Sequence, residues 1–329
     1  MGGFKFDRLG LAAILAVTAL PAAPAHVRRV AELTVPEIAR LDRARTAVIL
    51  PGGILEEHGP YLPAYADGYL NERLADSLAA AIASRPGWTA LVFPPIPLGN
   101  SGANDIGGRF SFPGTYTVRF ETLRAVFLDL ADELGEQGFR WVFLVHLHGG
   151  PNHSRALDQA GDYFRHAFGG RMVHLAGLLS VIGAMEGPKS AEARAADGLV
   201  IHSGMDETSL LLHLRPDLVS REHLAATDEA DSSMAGLIRL ARAPGWPGYF
   251  GAPRLATAAH GQAIWRAIAD SAVGAALRIL DGADPSRLAR YATAMAASPP
   301  DVRLDAASRR AEAARARRQQ AWLASTGRR

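Results

Sequence analysis

Four short runs in this chain are apolar almost without interruption: Thr46 to Leu50, Thr89 to Phe93, Trp141 to Val145 and Met172 to Leu179. A strand with one wet face alternates polar and apolar residues, so runs of this kind need cover on both faces. Between them, apolar residues recur at helical spacing. Leu70, Leu74, Leu78 and Ile82 share one face of a helix predicted from Asp67 to Ser84 and closed by Pro86. Leu123, Phe127, Leu130 and Leu134 do the same from Arg119 to Gln137, and further helices are expected over 152–168 and 258–280. Continuous strands alternating with such helices predict an α/β fold, with three α/β/α layers around a mostly parallel sheet. In sheets of that kind, chemistry gathers beyond the carboxyl ends of the strands.

The 329 residues could hold one large domain of this type or two ordinary ones, and a hydrophobic content of 48% allows a sizeable core. The formal net charge is only +2, and the basic residues are arginines apart from Lys5 and Lys189. No basic face stands out, which argues against a nucleic-acid partner. Cysteine is absent, which removes disulfides, thiolate ligands and thiol nucleophiles and suits an oxidising compartment. At the N-terminus, Lys5 and Arg8 flank an apolar stretch from Leu9 to Leu20, followed by Ala23-Pro24-Ala25. That is the layout of a secretory signal peptide over residues 1–25, cleaved after Ala25. Export to the periplasm or the medium is therefore expected, with no membrane attachment after cleavage. A main domain is expected over 26–283. An arginine-rich helical extension is expected over 284–329, on the surface or at a subunit contact, fraying at its end. Stretches rich in glycine and proline at 94–114 and 244–253, and the segment 186–198, read as loops. The first is long enough to be functional or mobile.

The chemistry concentrates after the first apolar run. In extended backbone, side chains at i and i+2 point to the same side, so Glu56 and His58 can face one point, with Asp67 opening the next helix. Glu, His and Asp together suit a hard-to-borderline divalent ion better than a structural zinc site, which favours thiolates. On this stretch alone, a polar loop with an ordinary surface histidine is an equal reading. His148 falls just beyond a second strand, at the same edge of the sheet.

The run Pro51-Gly52-Gly53-Ile54-Leu55-Glu56-Glu57-His58-Gly59-Pro60, through Asp67, resembles the signature of the creatininase (creatinine amidohydrolase) family. Phe112-Pro113-Gly114-Thr115, His148-Gly149-Gly150, the run from His202 to Ser209 and that from Gly251 to Ala258 agree with further family blocks in order and spacing. The resemblance covers roughly Leu33 to Leu280, by the positions of these blocks. It implies a creatininase-like three-layer fold carrying two divalent metal ions (zinc, manganese or iron) in a homo-oligomer, often a hexamer. Carried over by position, Glu56 and His148 would hold one ion, His58 the other, and Asp67 would bridge them. Creatininase itself has a carboxylate where Gly150 stands here, so Glu207 becomes the candidate to complete the second ion. His202 corresponds to the family's catalytic histidine.

Two divalent ions about 3.5–4 Å apart can share a water, lower its pKa toward neutrality and polarise an amide carbonyl for attack by the bridging hydroxide. A histidine beside the ions can then protonate the departing nitrogen, the role expected of His202, with Glu207 also counted as catalytic. Tyr61, Asn100, Ser101, His146 and Asp206 are candidate pocket residues. His146 stands where the family usually has asparagine, and is expected as a hydrogen-bond partner behind the ligands. Pro151 displaces the usual glycine-glycine-asparagine turn by one, and the tryptophans of the creatinine pocket have no counterpart, which tells against creatinine as substrate. His153, His166, His174, His213 and His223 have no converging carboxylate in sequence and read as structural or surface residues, with His260 the closest of the rest to a role.

Three functions are weighed. The first is an exported metal-dependent amidohydrolase acting on a small-molecule amide, at a cyclic amide or formamide-type C–N bond outside peptides. The second is a metal-dependent peptidase processing a small peptide. The third is an inactive metal- or ligand-binding relative, against which the intact set of Glu56, His58, Asp67, His148, His202 and Glu207 argues.

Overall fold

Strands β1 (Val27–Arg29), β2 (Thr46–Pro51), β3 (Thr89–Val92), β4 (Trp141–Val145) and β5 (Arg171–His174) form one sheet. Their order is β1-β3-β2-β4-β5, and every pairing is parallel. These come from a computed structural model that describes residues 26–327. The expected signal peptide and its cleavage after Ala25 lie outside the described residues. The helices are α1 (Val35–Ala39), α2 (Ala66–Ala83), α3 (Phe120–Glu136), α4 (Pro151–Phe168), α5 (Leu179–Ile182) and α6 (Ala191–Asp197). They continue with α7 (Met205–Leu214), α8 (Met234–Arg242), α9 (Ala258–Leu280), α10 (Tyr291–Ala296) and α11 (Pro299–Ser325). Among the described residues, no helix is long and apolar enough to cross a membrane.

The unbroken apolar runs are explained by cover on both faces. In β2, Ala47 and Ile49 pack with Leu70, Leu74 and Leu78 of α2 and Ile268 and Ala272 of α9, while Val48 and Leu50 pack with Leu123 and Phe127 of α3 and Leu157 of α4. β4 repeats the division, with Phe143 and Val145 on the first side and Val142 and Leu144 on the second. Each large side chain buried this way contributes roughly 1.5–3 kcal/mol.

Strand order then fixes where a site can form. From β2 the chain goes through α2 to β3 on one side, and from β3 it crosses to β4 on the other side of β2. Helices leave the neighbouring strands β2 and β4 toward opposite faces, opening a crevice beyond their carboxyl ends.

Three local expectations differ from the structure. β1 was not foreseen, because three residues with two arginines carry no apolar pattern; it forms by pairing with β3 at the sheet's edge. The last strand stops at His174 rather than Leu179, where Gly177 and Leu178 turn back onto His174 and Leu175. The expected loop 186–198 contains α6, whose start is capped by Ser190 accepting from the Ala193 N–H at 3.1 Å. The C-terminal extension holds α10 and the long α11, which lies at the surface with Ser308 buried against the domain.

Candidate metal centre

Beyond β2 the backbone passes close under the site. A Cβ placed on Gly52 would lie 2.1 Å from Cε1 of His146, so only glycine permits this approach. Asn71 of α2 ties the two strand exits together, donating to the Gly52 carbonyl at 2.9 Å and accepting from the Leu147 N–H at 2.5 Å. Glu56 and His58 follow on the loop from β2, Asp67 sits in the first turn of α2, His148 follows β4, and Glu207 sits in the first turn of α7. A first turn favours carboxylates, because unpaired N–H groups and the helix dipole point at them.

The two histidines that flank Asp67 are held in the same way. His148 Nε2 lies 3.1 Å from the carbonyl oxygens of both Asn100 and Ser101. Carbonyls only accept, so Nε2 carries a hydrogen, and Nδ1 is the atom that faces Glu56 Oε2 and Asp67 Oδ2, each 3.2 Å away, and that would offer a lone pair to an ion once its proton leaves. His58 Nδ1 donates to the Glu56 carbonyl at 3.0 Å, which leaves Nε2 facing Asp67 Oδ1 at 3.5 Å.

Ligand atoms of Glu56, Asp67 and His148 lie within 4.8 Å of one another, as do those of His58, Asp67 and Glu207. Asp67 belongs to both groups. His58 Nε2 and Asp67 Oδ2 are buried without a well-aligned hydrogen-bond partner, the condition of atoms awaiting a cation. Carboxylates and neutral imidazoles suit zinc, manganese or iron, so the residues present fit such ions.

Burial alone would discharge these groups; mutual attraction overrides it at Glu56, His58, Asp67 and His148. Burial opposes the charge on His58, but the hydrogen bond and charge of Asp67, with Glu207 and Glu56, push its pKa up to about 10. His148 is likewise raised against burial by Glu56 and Asp67. Asp67, despite burial, is held well below the usual carboxylate range by His148 and His58, and Glu56 is lowered by His202 and His148. Burial raises Glu207, and raises Glu57 to about 7. Without a cation the carboxylates hold protons on the imidazoles, so binding of a divalent ion would release protons.

His202 stands over the cluster. Its Nε2 donates to the Glu57 carbonyl at 2.5 Å, and Nδ1 lies 3.8 Å from both Glu56 Oε1 and Glu207 Oε2. Glu56, His58 and His202 form a third group of mutually close ligand atoms, so His202 is nearer the cluster than a role separate from the ions requires. Ser203, at φ 57°, turns its N–H to Glu207 Oε2 at 2.5 Å and its hydroxyl to the His58 carbonyl at 2.9 Å. The Phe112–Thr115 block also has a purpose here. Thr115 Oγ1 accepts the Glu57 N–H at 3.0 Å and donates to the Glu57 carboxylate, which steadies the residue between Glu56 and His58.

A cavity of about 280 Å³ opens beside the cluster. Glu56, Asp67, His148, His202 and Glu207 line one side, and Ile106, Ile182, Met185, Ile201, Met234 and Leu304 provide apolar wall. Among the described residues lining it there is no tryptophan. Ser101 and Asp206 line the cavity as expected of pocket residues.

Tyr61, Asn100 and His146 do not line it, which corrects their reading as pocket residues. Tyr61 packs against Tyr249 instead, ring centroids 5.6 Å apart. Asn100 acts through its carbonyl on His148, while its side chain donates to the carbonyl of Val118 and to Glu312. His146 is fully buried beneath the site, with both ring nitrogens unpartnered, against Phe127, His153 and His174. Its ring makes no hydrogen bond to the ligands, only its carbonyl accepting the His148 N–H at 3.1 Å, and burial holds its pKa well below the ordinary value.

Sequence reasoning missed several neighbours. His153 Nδ1 accepts the Asn100 N–H at 3.3 Å, directly behind His148. Lys189 is buried between Asp197 and Asp206, 2.7 Å from each. His260, which the sequence marks as the closest of the remaining histidines to a role, reaches Asp206 at 2.7 Å. The signal available for Lys189 was its rarity, as a lysine in a chain that otherwise uses arginine.

Known proteins resemble this chain in sequence and fold. The family model described as creatinine amidohydrolase matches residues 31–276. The mycofactocin precursor peptide peptidase of Mycobacterium ulcerans is 29% identical over 267 residues, covering 77% of this chain and 93% of that one. The creatinine amidohydrolase of Pseudomonas putida is 29% identical over 202 residues, covering 59% and 75%. A manganese form of creatininase and a Zn-Zn type variant share the fold, each with a TM-score of 0.56 at 24% identity over 77% of this chain and 98% of theirs. With a match of that extent, this chain belongs to the creatininase family of hydrolases.

Proposed function

We propose that this protein is a metal-dependent hydrolase cleaving an amide C–N bond at the end of a short peptide. The observation that carries the reading is the pair of ligand groups sharing Asp67 at the side of a cavity with apolar walls. Glu56, His148 and Asp67 would hold one divalent ion, and His58, Glu207 and Asp67 a second. Bound there, the ions would supply an acidified water and polarise the scissile carbonyl. The rest falls to the chain's own residues. The carbonyls of Asn100, Ser101 and Glu56 keep the two ligand histidines in the tautomers that direct a lone pair inward. With Nε2–H tied to Glu57, His202 presents Nδ1 to the site, and that atom would hold the proton for the departing nitrogen. His202→Asn separates this from a ligand role: a proton donor's loss lowers kcat with metal content unchanged, whereas a ligand's loss lowers metal content as well.

A peptide substrate is supported by the relative named a peptide peptidase, which matches 77% of this chain against 59% for the creatinine amidohydrolase. A second reading, a cyclic amide or formamide-type bond, is supported by the creatinine amidohydrolase relative. The lack of tryptophan among the described cavity residues speaks against creatinine itself. The test is metal analysis of the purified protein, then assay of short peptides, lactams, formamides and creatinine. We expect turnover of a peptide that a chelator abolishes and manganese or zinc restores. Turnover confined to lactams or formamides would establish the second reading, and bound metal without turnover of any substrate would mark an inactive relative.

The N-terminal pattern supports export, and cell fractionation that finds the intact chain in the cytoplasm would refute it. A homo-oligomer, expected from the family resemblance, is tested by the mass of the purified protein in solution.

A further inference from the structure

The family match ends at residue 276, yet α11, at 299–325, reaches back to the metal centre. Glu312 Oε1 accepts from the side-chain Nδ2 of Asn100 at 2.6 Å, and Oε2 accepts from the backbone N–H of Phe120 at 3.1 Å. The carbonyl of the same Asn100 receives the Nε2–H of His148, joined by that of Ser101. Three residues further on, the N–H of Ala103 donates to Glu56 Oε1 at 2.5 Å. Residues 100–103 therefore orient both Glu56 and His148, the two ligands that share one group with Asp67.

This short segment does not hold its shape unaided. Ser101 sits at φ 63°, a left-handed conformation that a serine keeps only where its surroundings impose it. α11 supplies part of that restraint. Besides Glu312, Ser308 Oγ donates to Asp105 Oδ2 at 2.8 Å, and Arg315 donates to the Thr117 carbonyl at 3.1 Å.

We propose that α11 is a working part of the metal centre, with Glu312 a positioning residue that holds residues 100–103 in the conformation that aims His148 and Glu56 at their shared ion. The proposal rests on the metal-dependent reading of the site. Partners behind metal ligands fix ring orientation and basicity, and their loss typically costs about 10- to 100-fold in metal affinity.

The experiment titrates Mn²⁺ and Zn²⁺ into the full-length protein by calorimetry, with the fold and melting of the metal-free protein followed by circular dichroism. Glu312 bonds Asn100 rather than a ligand itself, so Glu312→Ala should weaken binding at the low end of that range, on the order of 10-fold. Glu312→Gln, which keeps one acceptor oxygen but turns an amide N–H toward a donor, should show a smaller loss in the same direction. Arg309→Ala is the control: it removes the 2.9 Å ion pair from α11 to Glu121 and the guanidinium over the Phe120 ring, and reaches none of residues 100–103. It should leave metal affinity at the wild-type value even where melting falls. Wild-type affinity in Glu312→Ala, or an equal loss in Arg309→Ala, overturns the proposal while leaving the metal site standing. Should Glu312→Ala not fold, wild-type affinity in Glu312→Gln overturns it instead. A wild-type protein that binds neither ion overturns the metal reading and this proposal together.

Discussion

Replacing Lys189 by methionine should be among the most damaging single changes away from the ligands themselves. Its ammonium lies 2.7 Å from Asp197 Oδ2 and 2.7 Å from Asp206 Oδ2, and the three side chains are between 1% and 2% exposed. Methionine nearly matches the length of the stem, so packing survives and the charge alone is lost. Asp197 Oδ1 keeps two backbone donors, Met205 N–H at 2.9 Å and Ala252 N–H at 2.8 Å, and Asp206 Oδ1 keeps His260 at 2.7 Å. The Oδ2 atoms of both aspartates face an empty position. Removing one partner of a buried ion pair typically costs about 3–5 kcal/mol. Two stranded carboxylates push the cost up and their remaining donors pull it down, so the full range of about 3–5 kcal/mol is expected here. At roughly 2–4 °C per kcal/mol for a protein of this size, the melting temperature should fall by roughly 6–20 °C. The assay is thermal and urea unfolding of the metal-free protein, with Asp206→Asn added to Lys189→Met to recover part of the loss. Asp197 holds the first N–H of α7, two residues from Glu207, so metal affinity should fall as well. A destabilisation below about 1 kcal/mol, the value of an exposed pair, would refute the reasoning.

Asp67→Asn should depress binding at both ligand groups at once, because an amide is a weaker donor than a carboxylate; a calorimetric titration in which one ion still binds normally would contradict the shared position. Burial raises Asp158 from 3.8 to about 7 against the pull of Arg290, so the folded state binds its proton more tightly than the unfolded state. The associated stability is complete below about pH 4 and lost as the pH rises through about 7. Asp158→Asn should therefore be neutral at pH 4 and more stable than wild type by roughly 2 kcal/mol at pH 8, after discounting for its partial exposure, as read by urea midpoints. Leu304→Trp should fill the α11 side of the cavity and raise KM on the order of 10-fold, the cost of overpacking by about 1–3 kcal/mol, with metal affinity unchanged. Equal KM values in variant and wild type would place the substrate elsewhere.

Much of the frame was legible because it is local. The unbroken apolar character of β2 and β4 demands cover on both faces wherever those strands lie, and that demand implies a parallel sheet with helices on each side. Glu56 and His58 are two positions apart, and Asp67 follows at a helix start, where carboxylates are favoured. These relations need no knowledge of distant partners. Tertiary structure decided what depends on which faces the strand order brings together. Asp67 serves both ligand groups because β2 and β4 are neighbours with helices leaving to opposite sides. His146, one strand-end residue from the site, is turned beneath it by the close approach of Gly52. Lys189 meets its aspartates, and Glu312 meets Asn100 across 212 positions of chain, through packing that the sequence does not spell out: the rarity of Lys189 marks it without naming its partners, and nothing marks Glu312. Side-chain periodicity reports which face of a segment is buried; it carries no information about what that face is buried against.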